Sequence, residues 1–182
     1  DGQVLTSTGS GVGWEDAASG VSAINDLSDA KTFGTSSIMI GDSTTGTIDA
    51  ANYNTGLGID VFAALTSGDN NVAVGFRAGD AITTGVENVA VGSYALTGVT
   101  TGNSNTALGM KAGEATTTAA NNTAIGAYTL VANTTGAGNT AIGRDALRAN
   151  TTASNNTAVG IDALTANTTG AGNVGIGRQA MD

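Results

Sequence analysis

Asn54, Asn71, Asn88, Asn105, Asn122, Asn139, Asn156 and Asn173 stand 17 residues apart, with no insertion or deletion between any two. Four residues after each comes a glycine (Gly58, Gly75, Gly92, Gly109, Gly126, Gly143, Gly160, Gly177), preceded by a branched aliphatic residue: Leu57, Val74, Val91, Leu108, Ile125, Ile142, Val159 and Ile176. One step further back, Ser37-Ile38-Met39-Ile40-Gly41 reads as a degenerate first copy, giving nine copies over 37–182, the last truncated at Asp182. A constant period with equivalent positions in every copy marks a solenoid, in which each repeat contacts only its neighbours. Residues 1–36 lack the repeat and are expected to be a separate, Gly-rich N-terminal linking module.

The repeat begins Asn-(Thr/Val)-Ala-(Val/Ile/Leu)-Gly, and most copies close on Thr-Thr-(Gly/Ala). Small and β-branched residues alternating at period 2 suit a short strand with two distinct faces. A helical-hairpin repeat needs about 33 residues or more, and glycine breakers every 17 leave no room for two helices; one helical turn over Asp145-Ala146-Leu147-Arg148 is the most that fits. The expected fold is therefore all-β, a parallel β-roll or β-solenoid of 17-residue coils rising about 4.8 Å each. In this reading Ile40 and Leu57 through Ile176 form an aliphatic ladder in the coil interior, and the asparagines form a second ladder bonded from layer to layer. Ala73, Ala90, Ala107, Ala124, Ala141 and Ala158 fall on the opposite, outer face, where small residues would let chains approach closely. So thin a coil is expected to associate around a long axis as an intertwined or side-by-side oligomer.

Composition narrows the chemistry. Without His or Cys the chain lacks Ser-His-Asp and Cys-His machinery and the usual transition-metal ligands. Its acids (Asp60, Asp80, Glu87, Glu114, Asp145, Asp162) are scattered over loops, so they read as solvated charges and not as a glycosidase pair. No enzyme activity and no cofactor are expected. The calcium-binding Asp-rich loop and the Gly-Gly-x-Gly-x-Asp repeat are absent, leaving Asp42 and Asp69-Asn70 as isolated loop candidates for a cation. A net charge of −9 argues against nucleic acid and anionic lipid, and no apolar run is long enough to insert in a membrane.

The two residues after each glycine vary most and carry the aromatic and basic side chains. Phe76, Arg77, Tyr94, Lys111, Tyr128, Arg144 and Arg178 are thus the candidate contacts for a host-surface glycan or protein receptor. Paired threonines such as Thr134-Thr135 suggest an ice-binding face, but neighbours in a strand point to opposite sides. Asn133, Asn150 and Asn167 fit the glycosylation sequon and are read as turn chemistry.

Asn139-Thr140-Ala141-Ile142-Gly143 and Asn156-Thr157-Ala158-Val159-Gly160, followed by Ala146-Leu147 and Ala163-Leu164, resemble the head repeats of trimeric autotransporter adhesins and related phage tail-fibre repeats. The likeness covers 37–182, although the familiar adhesin repeat is shorter. It implies a left-handed homotrimeric β-roll on a virion or bacterial surface. Gly2-Gln3-Val4-Leu5-Thr6-Ser7-Thr8-Gly9-Ser10-Gly11 with Trp14, and Ile24-Asn25-Asp26-Leu27-Ser28-Asp29-Ala30, are similar to tail-fibre linkers. A tail fibre attaching to a host is the expected function, a bacterial adhesin head the alternative, and an ice-binding or purely scaffolding solenoid the third. Both chain ends are expected to be cuts in a longer protein.

Overall fold

The computed structural model describes residues 3–7, 12–16, 30–33, 37–40 and 50–182, and there is no helix among them. The Ile24–Asp29 stretch and Asp42 lie outside the described residues, as does the Trp14 side chain. Strands β1 (Gln3–Ser7) and β2 (Val12–Asp16) pair antiparallel, with Leu5 opposite Trp14. The rest is one ten-stranded sheet. Its edge strand β3 (Ala30–Phe33) runs antiparallel to β4 (Ser37–Ile40), and β4 opens a parallel stack. The stack continues through β5 (Thr55–Leu57), β6 (Val72–Val74), β7 (Val89–Val91), β8 (Thr106–Leu108), β9 (Thr123–Ile125), β10 (Thr140–Ile142), β11 (Thr157–Val159) and β12 (Val174–Ile176). Every pairing from β5 onward is in register with the 17-residue period, as in Ala141 opposite Ala158. The chain is a parallel β-solenoid with one three-residue strand per coil.

The inside and outside of the strands are the reverse of the sequence expectation. Ala73, Ala90, Ala107, Ala141 and Ala158 are fully buried, whereas Leu57, Leu108, Ile125, Ile142 and Ile176 are exposed at 49%, 41%, 36%, 37% and 70%. Ile40 is exposed too, and Val74, Val91 and Val159 are half-buried. Volume explains the reversal. The little space a 17-residue coil encloses is filled by other large residues, Phe62, Leu96, Leu130, Leu147 and Leu164 at its ninth position and Leu65, Ile82 and Val99 at its twelfth. These residues share one buried core with the strand alanines, so a branched residue in place of Ala141 would overpack the layer.

The asparagine at the start of each coil from Asn54 to Asn156 is buried, and its amide works in two directions. Asn105 Nδ2 donates to Asn88 Oδ1 (3.1 Å) and to the Ala119 carbonyl (2.8 Å) at the end of its own coil. The Asn105 backbone N–H also donates to Asn88 Oδ1 (3.0 Å). The same set recurs from Asn71 to Asn139, so the ladder ties coil to coil and closes each coil on itself. Such hydrogen bonding satisfies groups that would be costly to bury unpaired.

Sequence reading missed a second asparagine ladder. At the twelfth residue of successive coils stand Leu65, Ile82, Val99, Thr116, Asn133, Asn150 and Asn167. Asn133 and Asn150 are fully buried, with Asn150 Nδ2 donating to Asn133 Oδ1 (2.9 Å) and Asn167 Nδ2 to Asn150 Oδ1 (3.2 Å). Each amide also donates to the carbonyl three residues on (Gly136, Ala153 and Gly170 at 3.0, 3.0 and 2.9 Å), the turn bond expected of it. It thus both closes a turn and stacks on an adjacent coil. The 17-residue spacing of the three was the available signal.

Left-handed residues turn each corner. Arg77, Tyr94, Lys111 and Tyr128 have φ of 55°, 60°, 59° and 60°, and the buried Leu96, Leu130, Leu147 and Leu164 lie near 50°. Bulky residues rarely adopt this conformation, which costs about 1–2 kcal/mol each. Here each one is held by a bond to an adjacent coil. The Tyr94 N–H donates to the Phe76 carbonyl (2.9 Å) and the Leu96 N–H to that of Ala112 (3.0 Å). Stacking thus fixes a corner that the isolated segment would not hold.

The paired threonines lie where the Thr-Thr-(Gly/Ala) run is expected to turn the coil back. They sit in bends, not in a strand, and the second of each pair (Thr84, Thr101, Thr118, Thr135, Thr152) is exposed. The first of each pair is committed to the stack: Thr83 Oγ1 and the N–H groups of Thr83, Thr84 and Gly85 all donate to the Thr100 carbonyl.

Candidate functional site

Four of the candidate contacts meet at one corner. Phe76 and Tyr94 stand on adjacent coils with ring centroids 5.3 Å apart and planes at 86°, an edge-to-face pair. Arg77 lies 6.0 Å from the Tyr94 centroid and the Lys111 ammonium 5.6 Å, so both cations approach that ring. Because Arg77, Tyr94 and Lys111 occupy the same position of successive coils, they form a cation–aromatic–cation column, and Tyr128 is the next residue in it. Arg144 and Arg178 are not part of this cluster. Arg144 Nε pairs instead with Asp145 (2.8 Å), and Arg178 is an exposed residue of the last coil. Asp145 itself is buried, against the expectation of an outward residue.

Each cation of the column has its own carboxylate three residues on. Arg77 Nη2 is 2.8 Å from Asp80 Oδ2, and Lys111 Nζ is 3.0 Å from Glu114 Oε1. The Glu114 hydrogen bond and charge raise the Lys111 ammonium above its ordinary value. Asp80 is buried, and its Oδ1 has no hydrogen-bond partner among the described residues. Burial pushes its carboxyl above the ordinary 3.8, against the opposing pull of Arg77. A raised folded-state value means that the folded chain holds this proton more tightly than the unfolded one. The associated stability is complete below 3.8 and is lost as pH rises through the raised value. Asp80→Asn keeps an acceptor for Arg77 without the buried charge. It should therefore melt higher than the parent at pH 7, with the difference closing towards pH 3 in thermal scans.

A second surface is the outer face of the sheet. Thr106, Thr123, Thr140 and Thr157 form one rank along it, and Leu108, Ile125, Ile142 and Val159 a parallel rank two residues on. Among the described residues no group of three or more acidic side chains converges as a metal ion would require. No helix among them is long and apolar enough to cross a membrane. Neither a family model, nor a curated protein, nor a solved structure matches the chain.

Proposed function

We propose that this chain is a structural segment of a surface-attachment fibre, a phage tail fibre or a bacterial adhesin head, in which copies pack side by side as a homotrimer. The observation that carries the reading is the uncovered outer face of the parallel sheet. Parallel sheets are ordinarily covered on both faces, and here one face exposes Leu57, Leu108, Ile125, Ile142 and Ile176, with Val74, Val91 and Val159 half-buried in the same rank. A partner that matches this rank along its length must share its rise of about 4.8 Å per coil, and a second copy of the chain does. Side-by-side packing would give the thin coil the lateral stiffness a fibre needs. The trimer number and the surface setting follow from the resemblance of Asn139–Gly143 and Asn156–Gly160 to adhesin-head and tail-fibre repeats.

Sedimentation equilibrium tests the association. The parent chain should sediment as a trimer at micromolar concentration, and Ile125→Lys with Ile142→Lys should shift it to monomer. The same pair should cost the folded monomer less than about 1 kcal/mol, since both residues are partly solvated already. A monomeric parent would overturn the proposal. Attachment itself is read from binding of the labelled chain to candidate host cells.

A further inference from the structure

We propose that the corner formed by Phe76, Arg77, Asp80, Tyr94, Lys111 and Glu114 binds a neutral saccharide, an inference that rests on the attachment reading above and names its ligand class. The aromatic part comes first. Cations approach the Tyr94 ring at 6.0 and 5.6 Å, and Tyr94 also packs edge-to-face with Phe76. Phe76 is held by that contact yet 41% exposed, which makes it the ring available to the apolar C–H face of a sugar.

The polar part selects the kind of sugar. Arg77 and Lys111 are each neutralised by a carboxylate within 3.0 Å, so the patch offers an anion little net attraction. What the pairs present to solvent is the Arg77 donor over a buried Asp80 and, beside it, the Lys111 donor next to the Glu114 acceptor. Arg77 and Lys111 retain side-chain exposures of 45% and 36%, and Glu114 retains 30%. Neighbouring hydroxyls of a pyranose, each both donor and acceptor, match the exposed Lys111–Glu114 pair, with Arg77 as a further donor. From Arg77 to Lys111 the column runs two coil spacings, about 10 Å.

The corner is also rigid. Arg77, Tyr94 and Lys111 share one left-handed conformation, and each N–H donates at 2.9 Å to a carbonyl of the preceding coil. Little side-chain and backbone freedom remains to be lost on binding, which favours a weak, small ligand. The cluster lies beyond the Gly75, Gly92 and Gly109 bends that end the strands.

The full chain would be titrated with neutral oligosaccharides of glucose, galactose and mannose, and with sialylated and phosphorylated counterparts, by saturation-transfer NMR. Saturable binding of at least one neutral sugar is expected, weakened about tenfold or more in Phe76→Ala and in Arg77→Ala and unchanged in Arg178→Ala. Melting curves verify that the variants remain folded. No saturable neutral ligand, binding confined to the acidic sugars, or binding indifferent to Phe76→Ala would each overturn the site. Cell attachment that persists unchanged in Phe76→Ala would sink the saccharide site and leave the attachment reading standing. Sugar binding without cell attachment would do the reverse.

Discussion

Asn105→Ala should cost on the order of 3–6 kcal/mol in chemical denaturation, several times the loss from Asn173→Ala. Asn105 sits mid-ladder. Its Oδ1 accepts from the Asn122 N–H (3.1 Å) and from Asn122 Nδ2 (3.2 Å), and its Nδ2 satisfies both Asn88 Oδ1 and the Ala119 carbonyl. Truncation strands at least the Asn122 N–H and the Ala119 carbonyl in a buried environment, at about 1–3 kcal/mol each, and opens a cavity as well. Asn173 differs because nothing is stacked on it. Its N–H donates to Asn156 Oδ1 (2.8 Å) without using its own side chain, and its Nδ2 makes one long bond to Asn167 (3.4 Å). Its loss should stay within about 1 kcal/mol. Equal losses at the two sites would mean that the ladder carries no stability beyond that of isolated turns. A nearest-neighbour stack also predicts that Asn105→Ala loosens the coils on either side before distant ones, readable as local loss of amide-exchange protection.

The period was legible because it is written in residue identity: an asparagine and a glycine at fixed places, whatever lies between them. Period-2 alternation likewise separated the Ala set from the aliphatic set. It could not say which set is inside, since alternation defines two faces and leaves their environment open. The rule that hydrophobic residues are buried then pointed the wrong way, because methyl groups fit in one core with Leu130 and Leu147 and an isoleucine does not. Asn133, Asn150 and Asn167 were hidden by a stronger local pattern, the sequon, although their spacing equalled that of the first ladder. The left-handed corners had a scattered signature. Tyr94, Lys111 and Leu147 are not residue types that announce a positive φ, whereas Gly79 and Gly113, the Asp60, Asp145 and Asp162 members of the Arg77 column, and Asn70, Asn121, Gly138, Asn155 and Gly172 at a third position are. Of the candidate contacts, Arg77, Tyr94 and Lys111 could be placed in one column from the period alone. That Phe76 joins them while Arg144 turns to Asp145 depended on side-chain geometry that no spacing encodes.

The glycine after each strand is the position where substitution should do most damage, and Gly109→Ala compared with Gly177→Ala separates two causes. Both glycines have φ values that side chains avoid, 132° and 121°. A Cβ at Gly109 would lie 2.6 Å from both the carbonyl carbon and oxygen of Gly126 in the next coil, whereas at Gly177 it would meet nothing within 4 Å. Backbone conformation alone should cost about 1–3 kcal/mol at either place. At Gly109 the clash is with main chain, which cannot rotate away. The Gly126 N–H bond to the Leu108 carbonyl (2.7 Å) runs through the same contact, so relief would require the two coils to separate. Gly109→Ala should therefore exceed about 4 kcal/mol and unfold or split the stack, while Gly177→Ala remains folded with a loss of about 1–3 kcal/mol. If both variants lose the same stability, the glycines are imposed by φ and the stacking distance is not limiting. If Gly109→Ala alone fails, the stack tolerates no side chain at this position, which is the physical reason the glycine returns every 17 residues.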